Sequence, residues 1–256
     1  MSTENRQDLV RRLFEALALD IRWLARLHGR ELDAPMCRHL FSEAFPENLV
    51  LLLDGESVQA LELVRDALRE LGGDPKPEAL EILAADYAGI YLSYAFRAAP
   101  NESVWIDEDQ LAMQGPMFEV RKWMGRHGLT VANWRLRPED HLVHELEFLA
   151  YLLETGAGAE NFSEAADFMD RHLLRWAGAF CRRVAARCET SFYAGLNALT
   201  GHYLEQVRDL LAEVTGRPRP SPEEIEASIE AEAQRRKHAS PAEAPLRYIP
   251  GATASW

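Results

Sequence analysis

Apolar residues recur along this chain at intervals of three and four, the spacing that lines them up on one face of an α-helix. From about Arg6 to His28 the stripe is Leu9, Leu13, Leu17, Ile21 and Leu24, and Gly29 closes it. Pro35 to Phe45 predicts a short helix around Met36, Leu40 and Phe41, with Pro46 beyond its end. Leu49–Leu53 is an apolar run without a partner strand elsewhere, so it is assigned to a loop or helix leading into Val58–Leu71. Gly72-Gly73 stops that helix. Leu80–Phe96 predicts the next one, carrying Leu83, Tyr87, Ile90, Tyr91 and Tyr94, and Ala98–Trp105 is a loop whose Val104 and Trp105 need packing. Further helices are expected over Pro116–Gly125, from Pro138 to about Glu154, and over Phe162–His172, Leu173–Cys188 and Ser191–Val214. The pattern predicts an all-α fold, and no repeat of solenoid length interrupts it.

The pattern ends abruptly at Arg217-Pro218-Arg219-Pro220-Ser221-Pro222. Glu223–His238 permits a helix but is almost wholly polar, and Ala239–Trp256 is rich in Pro, Ala and Ser. The expected organisation is one helical domain over residues 1–216 and a polar, Pro-rich, flexible tail over 217–256.

Composition narrows the function classes. With 256 residues and 47% hydrophobic content the chain can bury a full core. A net charge of −13 argues against general nucleic-acid binding and suits a basic peptide partner. No apolar run reaches the roughly 20 residues that span a bilayer. Arg11-Arg12-Leu13-Phe14 is expected to belong to an amphipathic helix rather than a twin-arginine export signal, because Glu15, Asp20 and Arg22 interrupt what would be its apolar region. Cys37, Cys181 and Cys188 form no Cys-x-x-Cys pair, and Cys181 and Cys188, two helical turns apart, are expected in the core. A cytoplasmic protein is expected.

The chemistry concentrates in Arg137-Pro138-Glu139-Asp140-His141-Leu142-Val143-His144-Glu145. Pro138 suits a first helical position, Glu139 and Asp140 suit the positive end of the helix dipole, and His141 lies one turn before Glu145. A zinc-hydrolase helix would need a histidine where Phe148 stands, and no Glu-x-x-His pair of a di-iron bundle occurs. No metal or other cofactor site is therefore expected. Asp140 and His141 are adjacent, and neighbours on a helix diverge by about 100°, which does not suit a catalytic pair. No nucleophile elbow or phosphate-binding glycine loop is present. The enzyme alternative is a metal- or acid–base-dependent hydrolase using Asp140, His141, His144 and Glu145; a solvated helix start without chemistry is the plain one.

Arg137–Leu142 followed by Glu145-Leu146-Glu147-Phe148-Leu149 resembles the signature of the TorD/DmsD/NarJ-type chaperones of molybdoenzymes. Asp86-Tyr87 through Tyr91-Leu92, Pro100-Asn101-Glu102-Ser103-Val104-Trp105, Met117–Arg121, Gly128-Leu129, His172–Trp176 and Phe192-Tyr193 resemble other segments of that family in the same order. The similarity spans about Leu80 to Leu211, and the tail lies outside it. The resemblance implies an all-α fold without a catalytic centre and with a hinge near Pro138-Glu139-Asp140-His141. It implies a partner, the apo-form of a molybdoenzyme catalytic subunit, bound often through its twin-arginine signal peptide, with assistance to molybdenum-cofactor insertion before export. The peptide-binding set it implies is Pro138, Glu139, Asp140 and His141 with Glu145. A leader combines guanidinium groups with an apolar stretch, so Tyr87, Tyr91, Trp105 and Trp176 are candidate groove rings. Monomer and domain-swapped dimer are both left open.

Overall fold

The computed structural model describes residues 3–51, 55–156 and 159–239, and every element of regular structure among them is helical. The chain divides into two units, Met1–Arg219 and Pro220–Trp256. In the first, α1 (Thr3–Gly29) is followed by α2 (Ala34–Ser42), α3 (Glu56–Leu71) and α4 (Pro77–Tyr87), which runs on as a π-helical turn (Ala88–Leu92). Then come the short α5 (Ser103–Ile106), α6 (Gly115–Arg126), α7 (Leu142–Thr155) and α8 (Ala159–Phe168), the last extended by a second π-helical turn (Met169–Leu173). Helices α9 (Leu174–Ala185) and α10 (Ser191–Thr215) complete this unit, and α11 (Pro222–Ala239) belongs to the other.

The longest helices find their partners through their apolar stripes. α1 lies along α7, and α10 packs against α3 on one side and α8 and α9 on others. Phe14, Leu17, Ile21 and Leu24 of α1 are fully buried with Leu146 and Leu149 of α7. α10 comes close enough to α3 that a methyl group on Gly195 would meet Val64 Cγ2 at 2.8 Å and its backbone nitrogen at 2.9 Å. Gly195 thus sets the spacing of that pair. α10 ends on Gly216 in the left-handed conformation, φ 69°, which glycine adopts without a Cβ clash. Arg217 then pairs with Asp167 and Arg219 with Glu205, while Arg208 forms a buried two-point ion pair with Asp170 at 2.8 Å.

The periodicity located most of the helices well, with local exceptions. Leu9 is 60% exposed, because the buried face of α1 begins at Phe14. Phe41 is also exposed, and the core side of α2 is Met36, Cys37 and Leu40. The helix expected to reach Phe96 stops at Leu92, leaving Tyr94 outside it, 46% exposed and with φ 54°. Cys188 lies beyond the end of α9 and is half-buried, whereas Cys181 is in the core. Of Leu49–Leu53, Leu49 and Leu51 pack partly against the core, Val50 is exposed, and Leu52 and Leu53 lie outside the described residues. The stretch after Pro222 forms α11, whose apolar residues are too few for a buried stripe.

Candidate functional site

The polar motif before α7 does not open the helix at Pro138. The helix begins at Leu142, with His141 as its N-cap, φ −80° and ψ 139°. The reason is tertiary. Residues 100–102 lie antiparallel beside 140–142, where Glu102 N–H donates to the Asp140 carbonyl and Leu142 N–H to the Pro100 carbonyl, each at 2.9 Å. That short bridge holds His141 extended, and Pro138–His141 is a turn closed by His141 N–H on the Pro138 carbonyl. The two segments, forty positions apart, thus form one joint.

Each side chain of the joint has a separate partner. Asp140, fully buried, accepts from Ser103 Oγ at 2.5 Å, from Ser103 N–H at 2.9 Å and from Asn101 Nδ2 at 3.4 Å. Glu139 grips Arg121 of α6 at two points, 2.7 and 3.1 Å, and the same guanidinium lies over the Trp134 ring. Arg137 donates to the Gly29 carbonyl and so caps the C-terminus of α1. His141 Nδ1 accepts from Val143 N–H, which leaves its proton on Nε2. Glu145 receives the indole N–H of Trp176 at 3.1 Å, and the buried Glu102 meets His172 Nδ1 at 2.9 Å.

Burial governs the protonation of this joint. Taking a charged group out of water disfavours its charged form. Burial raises the Asp140 carboxyl above its usual range, although the Ser103 hydrogen bonds pull against it. Burial, then the charges of Glu102 and Asp140, push Glu145 well above the ordinary carboxylate range. Glu145 Oε1 has no donor of its own, so a proton there, given to the neighbouring Glu102 carboxylate, satisfies both. His141 is held neutral, mainly by burial and then by the Arg137 charge.

The four candidate rings also come together, but inside the core. Tyr91, Trp105 and Trp176 surround Phe180 at ring separations of 6.5, 6.5 and 5.8 Å, and Tyr87 lies 4.8 Å from Tyr91. Trp105 alone is half-buried, with Arg183 over its outer face and its indole N–H on the Ala99 carbonyl. Tyr87, Tyr91 and Trp176, like Asp140, His141 and Glu145, present almost no surface in this conformation. Instead of an open groove they form the packed underside of the joint. Tyr91 also holds His28 of α1, whose ring bridges Tyr91 Oη at 2.5 Å and Thr200 Oγ1 of α10 at 2.8 Å.

The hydrolase alternative finds no constellation here. The Nδ1 of His141 is occupied by Val143 rather than turned to Asp140, and His144 stands 6.3 Å from His141 between ring centres. Among the described residues no three His, Cys, Asp or Glu side chains gather as a metal site would need, and no helix is long and apolar enough to cross a membrane. Sequence reasoning had no means of finding His28 or the pairing of Arg121 with Glu139. Asn101, Glu102, Ser103 and His172 carry one signal in the sequence, polarity amid apolar runs.

Both halves of the joint fall inside a match to a family model described as nitrate reductase delta subunit, over residues 53–182. The chain is similar to the chaperone protein TorD of Vibrio cholerae, 28% identical over 201 residues that cover 75% of this chain and 90% of the relative. TorD of Vibrio vulnificus is 29% identical over 180 residues, covering 67% of this chain and 83% of the relative, and that of a Psychrobacter species is 25% identical over 200 residues. With half of its length in the family match and TorD proteins aligned over as much as 75% of it, the chain belongs to the nitrate reductase delta subunit family, that of the TorD/NarJ-type molybdoenzyme chaperones.

Proposed function

We propose that this chain is a cytoplasmic chaperone that binds the apo-form of a molybdoenzyme catalytic subunit through its twin-arginine signal peptide and holds back export while the molybdenum cofactor is inserted. The observation that carries the proposal is the joint itself. The segments that resemble the family most, 100–105 and 137–149, pack into one buried, carboxylate-rich unit where α1, α6, α7 and α9 meet. A leader offers guanidinium groups and an apolar stretch, which charge-assisted bonds to carboxylates and contacts with aromatic rings would receive. The net charge of −13 favours the approach of such a leader.

The peptide-binding set in this proposal is Pro138, Glu139, Asp140, His141 and Glu145 with Tyr87, Tyr91, Trp105 and Trp176. Because most of these are buried, binding is coupled to parting of the 100–102 and 140–142 backbones, which uncovers carboxylates and rings together. A leader shifts that equilibrium only by the affinity it gains for the open form, so binding stays reversible and the client can be released. The same parting is where two chains would exchange segments in a swapped dimer.

The test is titration of a fluorescent leader peptide into the full chain, with Asp140→Ala/His141→Ala alongside and thermal unfolding of both recorded. Saturable binding that salt weakens, and that the folded double variant loses, is expected. Unchanged affinity in a folded double variant overturns the site assignment.

A further inference from the structure

A cleft of about 500 Å³ lies where α3 ends, α4 begins and α10 starts, and none of the side chains of the joint lines it. Its apolar lining includes Leu71, Ile82, Leu83 and Phe192. Ile82 is 53% exposed although it sits in the middle of α4, so the cleft presents an apolar side chain to whatever enters. The volume is within the usual few hundred Å³ of ligand-binding clefts.

The charges around this lining are mostly negative. Glu70, Asp74 and Glu189 line it against a single base, Lys76. Asp74 reaches Arg38 only at 3.5 Å between exposed side chains, and Glu70 and Glu189 enter no ion pair among the described residues. Besides Lys76 at the start of α4, the start of α10 would attract an anion, and it is already occupied. The Asp86 carboxylate accepts from Glu189 N–H at 3.1 Å, Thr190 N–H at 2.7 Å and Thr190 Oγ at 2.6 Å. The C-terminal end of α3 adds the negative pole of a second helix dipole beside Glu70. An apolar floor with a net acidic lining complements a segment in which Arg or Lys side chains flank apolar ones.

We infer that this cleft is a second docking surface, for a basic and apolar polypeptide segment of the client. It rests on the reading of the chain as a chaperone that grips a client chain. In the docked state Ile82, Leu71 and Phe192 take the apolar side chains, and Glu70 and Glu189 pair with the cations at the rim. Salt weakens this contact, whereas the apolar part persists.

The experiment follows the Ile82 δ1 methyl of the full chain by NMR, with the buried Ile21 and Ile90 as internal references. The probe is a synthetic peptide of two arginines followed by a leucine-rich stretch, with a version carrying glutamates in place of the arginines. Expected is a saturable Ile82 shift with the arginine peptide alone. Glu70→Lys/Glu189→Lys, at exposed positions, weakens that binding by about tenfold at low salt, because two attractions become repulsions. Asp209→Lys/Glu213→Lys on α10, of equal charge change, weakens it by less than about twofold. Equal loss in both double variants, or an equal response to the glutamate peptide, overturns the charge match. Peptide binding by fluorescence anisotropy with a stationary Ile82 signal overturns the cleft while leaving the chaperone reading intact. No binding of the arginine peptide counts against both. An Ile82 shift that depends on protein concentration without peptide assigns the cleft to self-association and overturns the proposal.

Discussion

Ser103 donates twice to Asp140, through its hydroxyl at 2.5 Å and its backbone N–H at 2.9 Å, across thirty-seven positions of chain. Hydrogen bonds to a buried charged acceptor are the strong kind, and removing the acceptor leaves donors without partners. Ser103→Ala is therefore expected to cost about 1.5–3 kcal/mol of stability, and Asp140→Ala about 3 kcal/mol or more, because it leaves the buried Ser103 and Asn101 donors without an acceptor. The double variant should cost less than the sum by about 1–2 kcal/mol, since the two residues act through one contact. Urea denaturation of the four proteins measures this cycle, and strict additivity would show the contact to be weak.

Glu145 has the opposite linkage from an ordinary paired carboxylate. Its folded carboxyl holds the proton well above the usual value of 4.5, through burial first and the Glu102 and Asp140 charges next. A raised folded value means that the stabilisation is complete below about pH 4.5 and is lost as pH rises through the elevated value. Glu145→Gln mimics the protonated form and keeps an oxygen for the Trp176 N–H. The variant should gain Tm relative to the parent chain as pH is raised from 5 to 8. A constant Tm difference over that range would show that folded and unfolded chains hold the Glu145 proton equally, and so that its folded value is not raised.

His28 works in the other direction. Burial holds its imidazole neutral down to about 3, whereas the unfolded side chain takes up a proton near 6.5. The stabilisation is fully present above pH 6.5 and is lost as pH falls toward 3. His28→Gln can still reach Tyr91 and Thr200 but does not titrate. Its unfolding free energy should be lower at pH 7 and fall less steeply between pH 6.5 and 4. Parallel curves for the two proteins would place the acid sensitivity elsewhere.

Gly195 fixes how closely α3 approaches α10. Gly195→Ala puts a methyl against the backbone of Val64, which a rotamer change cannot relieve, and should cost about 1–3 kcal/mol. Gly125→Ala in α6 meets nothing within 4 Å and should be neutral or slightly stabilising. Comparison of the two melting temperatures separates the steric effect from helix propensity.

The helices were legible in the sequence because a stripe at three- and four-residue spacing is a local signal, and the stop at Gly72-Gly73 is local too. The start of α7 was misplaced for the opposite reason. Pro138, Glu139 and Asp140 have the features of a first turn, but the backbone of residues 100–102 claims 140–142 as a partner before a helix can form there. No periodicity reports a pairing between segments forty positions apart. Leu9 lies before the buried face of α1 begins, and Phe41 lies off the core side of α2. At the joint the residue types were legible, since acids and histidines among leucines stand out. Their depth was not, because the order of residues does not tell whether a carboxylate faces water or Ser103.

The pairing of Asn101 with His141 closes residues 102–140 into a loop whose two ends meet at one point. A chain clasped at its base has already met the entropy of closure, and that entropy grows only with the logarithm of loop length. Residues inserted between α5 and α6, around Asp109–Gln114, would then lengthen the loop without loosening its clasp. A force on α6, however, reaches the clasp directly, through Arg121 and Glu139. The loop is a lever whose arm can change in length while its fulcrum stays fixed.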